Sequence, residues 1–219
     1  MGYWWSERAA SGPLAGDKTG HYEGGSYVLW LYTARMRDEI APDRKRLRAE
    51  GYDYAQPAGY FVTICVQDRA RLFGEITENR ASLSTAGLMV QAQWSAIPGY
   101  YPFVERDTFV VMPNHLHGIL ILQPVDGEMP PASLSDIIGT FKSRTTHLYA
   151  QGVRIAGWPP YPGQLWQRSF HDRIIRGDRH LERLREYVEG NPGNWPWDAE
   201  NPESSQAVAT IPVGDRGLR

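Results

Sequence analysis

Hydrophobic and polar positions along the chain first settle into a regular rhythm near Gly59. Tyr60–Val66 is a run of aromatic and β-branched residues behind Pro57 and Gly59, which predicts a strong strand. Arg71–Ile76 predicts a second, partly exposed strand. Thr85 is a candidate cap for a helix from about Ala86 to Ile97, with Leu88, Val90 and Trp94 among its apolar positions and Pro98-Gly99 as its stop. Thr108–Met112 and His115–Leu122 predict two more strands, and the tight Pro113-Asn114 connection makes them a hairpin. After a Pro/Gly loop, Ser133 with Asp136 three residues on opens a helix to about Tyr149. Leu165–Ile175 reads as a short strand-like piece, and Asp178–Gly190 as a helix that Asn191-Pro192 terminates. The order β-β-α-β-β-α-β-α is an α+β plan, an antiparallel sheet with helices packed on it.

The flanks have a different texture. Gly, Ser and Pro are scattered through Met1–Gly25, and the apolar stretch Tyr27–Tyr32 leads into a mixed-charge run from Arg35 to Glu50. Residues 1–43 are therefore expected to be a poorly ordered or accessory extension, 44–197 the folded domain, and 198–219 a flexible polar tail. Gly16-Asp17-Lys18-Thr19 invites a phosphate-loop reading, but the first glycine of that motif and a preceding strand are both missing, so no nucleotide cofactor is expected.

Composition narrows the picture. At 219 residues, 42% hydrophobic and 22% charged, the chain suits one globular domain with appendages. Its 23 Lys+Arg and 25 Asp+Glu give a net charge of −2, which argues against a sequence-independent coating protein for nucleic acid and leaves room for a local basic face. The single cysteine, Cys65, excludes an internal disulfide framework and an all-cysteine zinc site. No apolar run approaches the ~20 residues of a membrane span, and no secretory leader pattern opens the chain. A soluble, cytoplasmic protein with no membrane partner is the expectation. The 8 Trp within 12% aromatics exceed what a small core needs.

Three constellations carry candidate chemistry. In Met112–Leu120 the sequence His115-Leu116-His117 lies on a strand, so both imidazoles project to one face, where they can share a divalent ion or be satisfied by backbone carbonyls. Gly118 leaves room beside them for a backbone or ligand. In Tyr187-Val188-Glu189-Gly190-Asn191, Tyr187 and Asn191 stand four apart on one helix face; a phenol beside an amide ligand competes with a core tyrosine followed by a capping asparagine. In Leu165–Arg176, aromatics interleave with arginines. Trp166 and Phe170 are candidate base-stacking platforms, and Arg168, Arg173 and Arg176 candidate phosphate partners, with an edge strand as the alternative. Lys142 and Arg144 are similarly ambiguous.

Together these pieces resemble a known family. Residues 51–76, Phe109–His117 (FVVMPNHLH), Ser135–Arg144 (SDIIGTFKSR) and Leu165–Trp195 are similar, in that order, to the IS200/IS605-like tyrosine transposases, above all the REP-associated branch, over roughly residues 44–197. The resemblance implies an HUH endonuclease fold: a ferredoxin-like, RRM-like antiparallel sheet with helices packed on one face. It implies His115 and His117 as the metal-binding pair and Tyr187 as the nucleophile. Asn191 takes the third ligand position, which is Gln in the insertion-sequence branch and Asn in the REP-associated one. It also implies a Mg²⁺- or Mn²⁺-dependent enzyme that nicks and joins hairpin-forming single-stranded DNA through a 5′-phosphotyrosine, as a monomer or homodimer associated with the bacterial nucleoid. The alternative is a domesticated hairpin-binding protein without cleavage activity. A small-molecule metallohydrolase is disfavoured by the lack of a third histidine or a carboxylate at zinc-like spacing.

Overall fold

The computed structural model describes Tyr54, residues 56–128 and residues 130–204. The expected extension at 1–43 and residues 205–219 lie outside the described residues. In chain order the strands are β1 (Ala58–Cys65), β2 (Gly74–Thr77), β3 (Arg80–Leu83), β4 (Val104–Val111), β5 (His115–Leu122) and β6 (His171–Ile174). The helices are α1 (Thr85–Ser95), α2 (Ile97–Tyr100), α3 (Leu134–Ala156) and α4 (Asp178–Gly190), the last followed by a 3₁₀ segment, Pro192–Trp197.

Four strands form one sheet in the order β4-β5-β1-β6, with every neighbouring pair antiparallel. The succession β1-α1-β4-β5-α3-β6 in that spatial order is the split βαβ arrangement of ferredoxin-like folds. The β2–β3 hairpin is inserted between β1 and α1. Strand alternation sorts the two faces. Tyr60, Val62 and Ile64 of β1 join Leu116, Leu120 and Leu122 of β5 in the main core, together with Trp94 from α1 and Ile137, Ile138 and Phe141 from α3. The opposite face carries Phe61, Thr63 and Cys65 beside Ile119, His117 and His115, register partners in that order.

Gly118 is needed by the core and not by a ligand. A Cβ there would come within 2.4 Å of the Trp94 ring, so glycine lets the indole lie flat on β5, on the face away from the histidines. The room that the sequence suggested is filled by Trp94, which is fully buried and meets Phe141 edge-on at 5.2 Å. Fully burying an aromatic side chain of this kind contributes roughly 1.5–3 kcal/mol, so this contact is a major tie between α1, α3 and the sheet.

Several elements differ from the sequence expectation. Ser84, one residue before Thr85, caps α1: its Oγ accepts from Gly87 N (3.1 Å) and donates to Leu72 O (3.0 Å). Pro98 does not stop the helical path but opens α2, where its missing N–H is harmless. The strand expected at Arg71–Ile76 is displaced to β2 and paired with β3, across a turn whose Glu78 and Asn79 both have positive φ (51° and 61°). α3 begins at the expected Ser133–Asp136 capping box but runs on to Ala156. Gly152 sits inside it because Trp158 packs where a Cβ would be, at 2.1 Å. Of the strand-like piece at Leu165–Ile175 only His171–Ile174 is strand. Residues beyond Trp197, expected to be flexible tail, stay packed through Ser204, with Asp198 and Asn201 buried. No helix among the described residues is long and apolar enough to cross a membrane.

Candidate metal centre and tyrosine site

The two histidines stand on β5 with their ring Nε2 atoms facing each other at 3.0 Å. Both are buried, and desolvation pushes their pKa values down to about 3, with Arg69 adding to the effect at His115 and His115 at His117. Both rings are therefore neutral at physiological pH and offer a lone pair, the form that binds a metal.

Their second nitrogens are held by neighbours that fix ring orientation. Asn114 Nδ2 donates to Arg69 O (3.1 Å) and Glu200 O (2.7 Å). With both amide hydrogens committed to carbonyls, Asn114 Oδ1 must be the atom facing His115 Nδ1 at 2.8 Å. His115 Nδ1 then carries the proton and donates, leaving Nε2 as the lone-pair atom. His117 Nδ1 faces Thr63 Oγ1 at 2.8 Å. A hydroxyl can donate or accept, so His117 is free to take either tautomer. With its ring proton on Nε2 it donates to His115; with the proton on Nδ1 and turned to Thr63, both Nε2 lone pairs could serve a cation. This is the outer-shell pattern of metal-binding histidines.

Tyr187 reaches this pair from α4. Leu184 and Val188 are the buried stripe of that helix, and Tyr187 and Asn191 flank it at the spacing of adjacent turns. The Tyr187 ring lies 5.3 Å from His117 and 5.8 Å from Phe61, and Phe61 itself stacks on His117 at 5.4 Å. Arg185 docks α4 on the sheet: its Nε and Nη2 donate to the two carboxylate oxygens of Asp107 at 3.0 and 2.6 Å. Asp107 lies where β4 slips register between Arg106 and Phe109. Asn191 is 1% exposed, and its Oδ1 finds no hydrogen-bond partner among the described residues. An orphaned buried carbonyl oxygen is costly unless something else, such as a cation, meets it.

The sequence missed one group. Asp198, on the segment expected to fray, is buried, and its Oδ2 comes to 3.7 Å from His115 Nε2. His115, His117 and Asp198 each offer a ligand atom, all within 4.8 Å of one another, a cluster able to hold a metal ion. The signal lay just before it: Trp195, at the end of the expected folded domain, is buried and stacks on His115 at 6.1 Å. Cys65, opposite His115 on β1, is no nucleophile, because burial and the nearby Glu200 push its thiol pKa far up.

The expected base-stacking platforms are core residues. Trp166 is 4% exposed, donates Nε1–H to Thr145 Oγ1 (2.8 Å) and packs on Phe73 and Phe141. Phe170 is buried beneath Lys142, whose Nζ lies 5.7 Å from its ring and donates to Gln167 O and Ser169 O. Lys142 thus ties down the 165–170 loop. Arg144 lies over Tyr100 (4.3 Å) and donates to Tyr100 Oη and Gln93 Oε1. Arg168 and Arg176 are exposed, and Arg173, paired with Phe61 in the sheet register, stands on the histidine face.

Fold and site define a class: a ferredoxin-like sheet on which a His-x-His pair meets a helix-borne tyrosine. No family model matches the chain. The chain belongs to the same family as an uncharacterized protein of Haemophilus influenzae, with which it is 32% identical over 170 residues, 71% of this chain and 91% of that one. Among solved structures it is similar to a REP-associated tyrosine transposase bound to a REP hairpin, at 20% identity and a TM-score of 0.49, covering 74% of this chain and 86% of that one.

Proposed function

We propose that this protein is a divalent-metal-dependent nickase and strand transferase for hairpin-forming, REP-like single-stranded DNA, working through a 5′-phosphotyrosine. One observation carries the reading: the Tyr187 ring lies 5.3 Å from a buried, neutral histidine pair built on a different element. A core tyrosine has no need of two buried imidazoles whose Nε2 atoms face each other at 3.0 Å.

In this reading His115, His117 and Asn191 hold the ion, and the nitrogen and oxygen donors suit Mg²⁺ or Mn²⁺. The bound cation supplies polarisation of the scissile phosphate. The chain supplies the rest. Tyr187 Oη attacks phosphorus; the Oη–P bond forms, the P–O3′ bond breaks, and the 3′-oxygen leaves as a hydroxyl once protonated. Phosphodiester energy is conserved in the tyrosyl ester, so attack by a second 3′-hydroxyl can rejoin DNA without a nucleotide cofactor. Phe61, in contact with both the His117 and the Tyr187 rings, packs the tyrosine against the histidine side. Arg173 on the same face, with Arg168 and Arg176, is proposed to contact the DNA backbone.

The test is incubation of the full chain with hairpin-bearing single strands and Mn²⁺, followed by mass spectrometry of a tyrosine adduct. Tyr187→Phe is expected to lower adduct formation by on the order of a thousand-fold or more while hairpin binding changes little. An undiminished adduct in that variant removes Tyr187 from the mechanism. Binding with no cleavage under either metal favours the non-cleaving hairpin binder.

A further inference from the structure

The segment after α4 does not trail away but crosses the metal centre as a strap, clamped at several points. Arg71 holds its far end: Nη2 donates to Asn201 Oδ1 (3.0 Å) and pairs with Glu203 (2.9 Å), while its guanidinium lies 5.5 Å above the Trp195 ring. Arg69 pairs with Glu200 (3.2 Å), and Asn114 donates to the Glu200 carbonyl. Within the strap, Asn201 Nδ2 donates to Trp195 O (3.0 Å), and Glu200 N donates to Asp198 Oδ1 (2.6 Å).

That last contact orients the Asp198 carboxylate. With Oδ1 taken by the strap's own backbone, Oδ2 is the oxygen turned to His115 Nε2. The Asn114 network leaves that nitrogen without a proton, so in this buried site it has no hydrogen to donate to the carboxylate oxygen 3.7 Å away. Two acceptors so placed do not satisfy one another, and a buried carboxylate needs a counter-charge. A cation between them resolves both difficulties.

We infer that Asp198 is a further ligand of the divalent ion, carried to it by the strap, so that ion binding and closure of the strap over residues 195–204 are coupled. This rests on the reading of His115 and His117 as cation ligands. The coupling is reciprocal: an ion that Asp198 ligates binds the closed strap more tightly, and therefore favours closure by the same factor. Arg71, which holds the strap but not the ion, becomes a positioning residue for the metal.

The experiment uses Mn²⁺ alone with the full chain, reading affinity by calorimetry and strap protection by hydrogen exchange. Asp198→Asn, nearly the same shape, is expected to weaken Mn²⁺ binding roughly ten-fold or more. Asp198→Glu keeps the carboxylate and is expected to retain more of the affinity. Arg71→Ala is expected to weaken binding several-fold without touching the ion. Mn²⁺ should slow exchange across 195–204 in the parent and not in Asp198→Asn. Should Asp198→Asn fail to fold, the Arg71→Ala affinity and the parent exchange data decide alone. If Asp198→Asn binds as the parent does while His117→Ala does not, the strap ligand is overturned and the histidine reading stands. If the parent itself takes up no Mn²⁺, both fall.

Discussion

Two stretches of this chain advertise chemistry by composition, and the fold treats them in opposite ways. His115-Leu116-His117 on β5 delivers both imidazoles to one face, each oriented by a separate partner, Asn114 or Thr63. The segment from Trp166 to Phe170 has the aromatic and basic make-up of a base-stacking surface, yet both rings are in the core and Lys142 is tied to the loop beneath it. The difference lies in what fixes direction. A two-residue period on a strand dictates where a side chain points. A loop has no period, so its large apolar groups go wherever burial is available, and arginines nearby say nothing about the rings.

The comparison can be broken at its weaker side first. Trp166→Ala should cost about 3–5 kcal/mol in stability by denaturant unfolding, with hairpin affinity per folded molecule unchanged. Lost affinity at full stability would restore Trp166 as a DNA contact. Next in size, Gly118→Ala should cost about 1–3 kcal/mol by forcing Trp94 off β5. Because this crowding is on the far side of the strand, Mn²⁺ uptake by the adjacent histidines should persist in the folded fraction; its loss would mean the two faces of β5 are not independent. The smallest effect is expected at the α4 dock. Asp107→Asn should cost about 1 kcal/mol, since the pair is partly solvated. Arg185 holds the Asp107 pKa below its ordinary value. The pair's contribution is therefore complete above the unfolded carboxyl pKa of about 3.9 and lost as pH falls through the depressed folded value. Parent and variant stabilities should converge in acid and separate as pH rises; a constant gap would exclude the ion pair.

Much of the framework was legible where local signals agree with tertiary need. Ser133-Asp136 sets its helix start, Pro113-Asn114 its hairpin, and the facing of His115 and His117 follows from strand alternation alone. The β2–β3 hairpin was not legible, because Glu78-Asn79 lacks the glycine that usually marks a turn with two positive φ angles. The length of α3 was not, because Gly152 looks like a break until Trp158 is seen against it. Asp198 was hidden for a third reason: a lone carboxylate in polar, proline-rich sequence has no local signature, and only the strap's contacts with Arg69, Arg71 and Asn114 bring it to the histidines.

The double donation of Asn114 has a consequence for how the site comes into being. One carboxamide sets the protonation pattern of His115 only while it is gripped by carbonyls from two stretches more than a hundred residues apart, at Arg69 and Glu200. During synthesis the first grip can form early, but the second must wait until the ribosome has released the chain past Glu200. A nascent polypeptide thus carries Tyr187 before it carries a finished histidine network. Under the proposed function, DNA cutting would in this way be withheld from incomplete translation products.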